Sequence, residues 1–368
     1  MYKFFSLALA AISLTVVFFS CGKNSSEGTT AVSGTVGNYQ GAGSRWQADF
    51  TTTDFNIKYF ATVSATVESL SVSGTYVQYS SGFRKLTVTS AAGTSPPSPG
   101  DQAYGFEIPG FAFLLKPIGS DSEPIVMLDS GSCPTGASFN ANWIIAKFDP
   151  GASMTITQDN FGSAVFNTSL GVSSTAAITL REPISGGIIG VNNVTFDYTT
   201  CANAVLSFSP GASETVDMFF TANGGALVHS YNGTTHDGII FAAPKHTGDV
   251  TQAGLAGTYS VLVFDDSAMS GKLFPAKLVI PASGAATANR IDDVSTDTPT
   301  SDPAISIDNI AAIASTNGLF TAAIDPTGQN GRLSCTHFVL NSKKVISCNG
   351  YGSASGGHEP FFFLAQER

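Results

Sequence analysis

Residues 333–348 read LSCTHFVLNSKKVISC. Two runs that suit pleated backbone flank Asn341-Ser342, a pair fitted to a two-residue hairpin turn. With Leu333–Leu340 and Lys343–Cys348 as its arms, Cys335 faces Cys348. Counted outward from the turn, the pair falls at a non-hydrogen-bonded position. Cα atoms there approach to about 4.5 Å, at the close end of what a disulfide spans. A register shifted by one residue would put the two cysteines on opposite faces instead. The hairpin reading makes this end of the chain antiparallel β.

The rest of the chain has the same character. Of 368 residues, 12% are charged, about half the usual share, and 27 are Phe. Ser, Thr, Val and Gly are plentiful, and no window of about 15 residues carries a helical period. Turn chemistry recurs at short intervals, at Pro109-Gly110, Asp149-Pro150-Gly151, Pro210-Gly211, Asn223-Gly224-Gly225 and Asn232-Gly233. The expected class is all-β, built as tandem small antiparallel barrels or sandwiches.

Three units are expected, at 34–132, 133–248 and 249–368. The second and third read as copies of each other. Trp143–Asp149 aligns with Tyr259–Asp265, Ala226–Ser230 with Lys344–Cys348, and Phe241–Lys245 with Phe362–Gln366. The first unit shares the opening Trp, at Trp46, and a closing apolar strand. Two stretches read as long surface loops: Thr94–Gln102, with Pro96, Pro97 and Pro99, and the polar insertion Asp292–Asp302. A Gly-x-aromatic opening and about eight strands per unit resemble a lipocalin- or avidin-like barrel.

Lys3 precedes an uncharged apolar run from Phe4 to Phe19, which is short for a membrane span and suited to a signal peptide. Ser20 and then Cys21 follow. This segment, 1–20, resembles the export signal of bacterial lipoproteins, in which the cysteine after the lipobox receives diacylglycerol. The resemblance implies lipidation at Cys21, a membrane partner through that lipid, and, with Gly22 rather than Asp next, delivery to the outer membrane. Residues 21–33 are small and polar, a flexible tether reaching roughly 40 Å when extended. Removing the signal deletes Lys3 and no acid. The 17 basic residues become 16 against 27 acidic, a formal charge of −11. Such a surface argues against nucleic acid, which needs clustered Lys and Arg.

Export to an oxidising compartment and an even count suggest that the other four cysteines pair. With Cys335–Cys348 set by the hairpin, Cys133 pairs with Cys201. No Cys-x-x-Cys is present, so no cysteine metal site is expected. His236-Asp237 and His358-Glu359 fall in turns before the last strand of two units. They read either as a shared ligand position or as polar turn residues. His337 shares a strand face with Cys335 and reads as structural. Asp325–Gly331 lacks the alternating acids and closing Glu of a calcium loop and reads as a turn. No nucleophile elbow, phosphate loop or dinucleotide fingerprint occurs, so no cofactor is implied.

Three functions remain open. The chain could be a surface binding, adhesion or structural module with a protein or glycan partner. It could carry a small apolar ligand, its phenylalanines lining a hollow, or it could be a hydrolase. A hollow of several hundred Å³ would favour the carrier.

Overall fold

In the computed structural model, described residues are 30–41, 46–60, 67–117, 125–129, 131–133, 139–148, 156–166, 174–181, 186–196, 201, 205–208, 214–232, 235–265, 272–300, 304–313, 316–324, 331–354 and 357–368. The signal segment, Cys21 and most of the tether lie outside these residues, as does 325–330.

The first unit holds β1 (Ala31–Val32), β2 (Gly37–Gly41), β3 (Trp46–Phe50), β4 (Asp54–Tyr59), β5 (Leu70–Tyr79), β6 (Phe83–Gly93), β7 (Gln102–Ile108), β8 (Ala112–Pro117) and β9 (Ile125–Asp129). Each strand from β2 to β9 pairs antiparallel with the next, and β9 pairs with β2. The result is a closed up-and-down barrel of eight strands, with β1 added outside along β5. Closure removes exposed edges, and the connectivity is that of lipocalins and streptavidin.

The third unit repeats the order. Its strands are β18 (Gly257–Asp265), β19 (Lys272–Ile280), β20 (Ala286–Asp293), β21 (Thr298–Pro299), β22 (Ile305–Ala312), β23 (Leu319–Ile324), β24 (Gly331–Leu340), β25 (Lys343–Ala354) and β26 (Gly357–Glu367). With β21 set aside as a short flap on β20, eight strands close where β26 meets β18. The barrel alternative therefore holds for these two units, and the sandwich does not.

Between them lies an eight-stranded sheet: β10 (Phe139–Phe148), β11 (Ile156–Phe166), β12 (Ser174–Arg181), β13 (Ile188–Phe196), β14 (Val205–Phe208), β15 (Glu214–Phe220), β16 (Ala226–Asn232) and β17 (Thr235–Pro244). Its order is that of the barrels, first strand against last, but no ladder joins β13 to β14 among the described residues. The Cys133–Cys201 disulfide ties the connection between those strands to the segment before β10, with Cα atoms 6.1 Å apart. The expected copying of unit two by unit three holds for topology and facing but not for register. Trp143 stands opposite Ala242, whereas Tyr259 stands opposite Glu367.

The opening hairpin forms as read. Asn341 and Ser342 both take positive φ, 49° and 65°, the conformation of a type I′ turn. Cys335 faces Cys348 with Cα atoms 4.1 Å apart, and they are disulfide-bonded.

Strand faces are used on both sides. In β7 the odd positions, including Glu107, point into the first barrel, while Phe106 and Ile108 point out. Those outward residues do not meet water. They join Phe219 and Phe241 of unit two and Phe338, Leu340 and Leu364 of unit three in one buried cluster. Phe111, after the Pro109-Gly110 turn, is fully buried, with its ring 5.0 Å from those of Phe241 and Phe338. Asn223 and Asn341, from turns in the other two units, each donate an amide hydrogen bond to the carbonyls of this turn. Gly225 leaves the room Phe111 needs, since a Cβ there would strike its ring. Three units thus share a core built from their outer walls.

The insertion Asp292–Asp302, expected as a free loop, is instead anchored along the part that is described. Buried Asp297 accepts two hydrogen bonds from the C-terminal Arg368 guanidinium, both 2.6 Å, and one from Lys277 at 3.0 Å. Three charges in one place hold the chain end and the insertion against the barrel wall.

Candidate ligand hollow in the third barrel

The two closed barrels fill their interiors differently. Inside the first, Tyr39, Phe50, Tyr76 and Phe113 crowd around Arg84, whose guanidinium carbon lies 4.3 Å from the Phe50 ring centre and 4.7 Å from that of Tyr76. Arg84 is wholly buried and pairs with Glu107, itself almost fully buried. Glu107 also accepts hydrogen bonds from the Tyr39 hydroxyl and from Thr35, at 2.6 Å for the latter. Burial, then the neighbouring Glu107 charge, pushes the Tyr39 phenol far above its ordinary range, so it stays a donor. Only Nη2 of the guanidinium is hydrogen-bonded among the described residues; Nε and Nη1 have no hydrogen-bond partner there, and the group lies against the aromatic faces. Thr35, on the segment entering β2, caps this network, and Gln78 accepts from the Thr35 backbone N–H at 3.0 Å. Among the described residues, these side chains fill the middle of the first barrel.

The third barrel is closed at one end and hollow toward the other. A single turn of helix, α1 (Gln252–Leu255), starts at Thr251, whose side chain accepts from the Gly254 N–H. It lays Leu255 across the barrel base, where the Tyr259 hydroxyl donates to the Leu255 carbonyl. The Lys344 ammonium, paired with Glu367 at 2.9 Å, donates to Ala256 O at 2.6 Å and fastens the same corner. Above this base, inward residues are often small: Ala276, Ala286, Ala288, Ala322 and Ala365. Side chains that stop at Cβ leave space that the opposing Ile307, Leu333 and Phe363 do not fill.

That space is a cavity of about 70 Å³ lined by Val261, Val263, Phe274, Ala276, Leu278, Ile307, Leu333, Phe363 and their neighbours. A smaller hollow of about 20 Å³ lies beside it, against the Cys335–Cys348 disulfide, and shares the walls Leu278, Ile307, Leu333 and Phe363. The lining is apolar apart from Asn289 and Arg290. Toward α1 the walls are buried. Toward the far end Val263, Ala288, Arg290 and Ile305 are half-buried, so the cavity approaches solvent where Val263 faces Phe274. The several hundred Å³ expected of a carrier for a whole drug-sized ligand is therefore not found here. The cavity suits a ligand segment of a few heavy atoms.

His236 and His358, expected in turns, fall within strands, β17 and β26. The side chains of His229, His236 and His358 lie outside the described residues. His337 is buried at the base, its ring 4.5 Å from that of His246 on the linker between units two and three. Neither His337 ring nitrogen has a hydrogen-bond partner among the described residues. Burial pushes its pKa down to about 4, with His246 and Lys344 acting in the same direction and Glu367 against it. Among the described residues no three His, Cys, Asp or Glu side chains are grouped as metal ligands would be. Sequence reasoning missed the residues that define the hollow. Their signal, Ala276 in β19 and the alternate Ala286 and Ala288 in β20, becomes readable only once the inward face is known.

No family model matches the chain, and neither does any curated protein. Among solved structures, it is similar to a DUF3598-family protein of unknown function from Nostoc punctiforme PCC 73102. That similarity has 12% identity and a TM-score of 0.24 over 62% of this chain and 95% of the other.

Proposed function

We propose that the chain is an exported binding protein, held at a bacterial outer membrane by lipid on Cys21, whose third barrel receives a small apolar ligand. The observation that carries this is the contrast between the barrels. The same eight-strand architecture is filled around Arg84 in one and left with an apolar cavity in the other. Close packing is the norm in protein interiors, and an unfilled hollow costs stability. A ligand that fills it offsets that cost. The shared three-unit core makes the first two units a rigid mount for the third.

Titration of the mature protein with a small apolar probe such as cyclohexane, followed by NMR shifts of methyl groups lining the cavity, tests this. Ala276→Leu places three more carbons in the hollow. It is expected to abolish the shifts while leaving the fold intact. Saturable binding that Ala276→Leu leaves unchanged would refute the assignment. For the anchor, Cys21→Ala is expected to move the protein from the membrane to the soluble fraction; retention in the membrane would overturn the lipid-anchor part.

A further inference from the structure

We propose that unit two pairs with a second copy of this chain, edge to edge along β13. This does not depend on the hollow in the third barrel. Unit two repeats the strand order of the two closed barrels, yet its fourth and fifth strands, β13 and β14, form no ladder among the described residues. Their lengths are nine and four residues, so β14 reaches less than half of β13 even if all of it paired. The edge left over is apolar. Ile188, Ile189 and Val191 are each 59% exposed, and Asn192 and Asn193 beside them are exposed as well. Ile178 and Leu180 of β12 pack on the interior of the unit, so Thr179 and its partner Val191 point outward. Val165 of β11, also exposed, stands on the same outer face two strands in from the edge.

Sheet edges are usually blunted by charge, by Pro or by shortness. β13 reads IIGVNNVTF, with no charged residue and no Pro, in a chain of net charge −10. A lipid surface does not suit this edge. Lipid cannot bond the backbone N–H and C=O groups, and β13 has none of the Trp, Tyr, Lys or Arg that favour an interface. A foreign peptide on a sheet edge is selected by pockets or charges beside it, and this strand carries no charge to select with. A second copy does suit it. Two acidic chains repel over most of their surfaces, so a neutral strand is where approach is least opposed. Antiparallel pairing about a two-fold axis then sets like against like with no repeated charge. The strand also begins at an existing contact between units, since a Cβ on Gly186 would lie 3.0 Å from Ile313 of unit three. Pairing along β13 extends that seam. A nine-residue strand spans about 30 Å, a contact below the standard interface size, so association is expected in the micromolar range.

Sedimentation equilibrium of the mature chain carrying Cys21→Ala, at neutral pH and from micromolar concentration upward, tests this. A monomer–dimer equilibrium is expected. Val191→Lys puts a charge on the paired edge of both copies and is expected to weaken association about tenfold or more. Val165→Lys is expected to leave it nearly unchanged. Both positions are exposed, so both variants are expected to melt like the parent chain. Without any variant, amide hydrogen exchange across 188–193 is expected to slow as concentration rises. A monomer at every concentration would overturn the proposal, as would a dimer that Val191→Lys leaves intact. Equal weakening by Val165→Lys would mean packing face to face and would overturn edge pairing. Binding of the monomeric Cys21→Ala chain to phosphatidylcholine vesicles, abolished by Val191→Lys, would replace the second copy with a membrane.

Discussion

Phe111→Ala tests whether the three units are one body. Phe111 is fully buried, outside the interiors of both closed barrels, and its ring touches aromatic rings from both other units. Truncating a buried Phe costs about 3–5 kcal/mol, set by how far the surroundings collapse. Collapse is poor here. The hole would be walled by strands of two closed barrels and by the Gly225 backbone, none of which can move in without breaking ladders. The expected loss is therefore about 4 kcal/mol. The barrel interiors lose no contact, so the damage should fall on coupling between units. Urea unfolding followed by tryptophan fluorescence is the assay, since Trp46 lies in unit one and Trp143 in unit two. Wild type is expected to unfold in a single transition. The variant is expected to split into at least two, with a lower first midpoint. A loss below about 1 kcal/mol with one transition retained would refute the shared-core account.

Removing one partner of the buried pair, as in Arg84→Met, leaves Glu107 uncompensated and should cost about 3–5 kcal/mol. The double variant Arg84→Met/Glu107→Leu should cost less than the sum of the singles, and a double-mutant cycle in denaturant measures the difference. His337, with pKa pushed down to about 4 from an unfolded value near 6.5, binds fewer protons folded than unfolded. Stability should hold above pH 6.5 and fall by about 3 kcal/mol as pH drops from 6.5 to 4. His337→Phe should flatten that slope in thermal melts. Replacing Cys133 and Cys201 by Ser removes a link across 68 residues and should cost about 4 kcal/mol in the chain-entropy model, read as a lower urea midpoint.

The hairpin at 333–348 was legible because its determinants are local: a two-residue turn fixes register, and register fixes which cysteines meet. The shared core was written less directly. Phe111–Leu115 and Phe361–Leu364 are continuous apolar runs where a half-exposed strand would alternate. Such runs mark strands buried on both faces. Here one face fills a barrel and the other meets a neighbouring unit, a partner that no local pattern names. No local pattern singles out Arg84 and Glu107, since only the closed register turns both inward. The hollow is the least legible feature, because Ala276 and Ala288 define a cavity only through the residues placed across the barrel. The insertion Asp292–Asp302 misled for a similar reason. Its polar residues match a free loop, but Asp297 meets Arg368 from 71 positions away.

The central claim is that the third barrel holds a dry, fillable space. Crystals of the mature protein pressurised with xenon test it most directly, because xenon enters empty apolar cavities. A xenon peak is expected between Leu278, Ile307, Leu333 and Phe363, with none among the rings around Arg84. A third barrel that stays free of xenon, its interior closed by repacked side chains, would contradict the account.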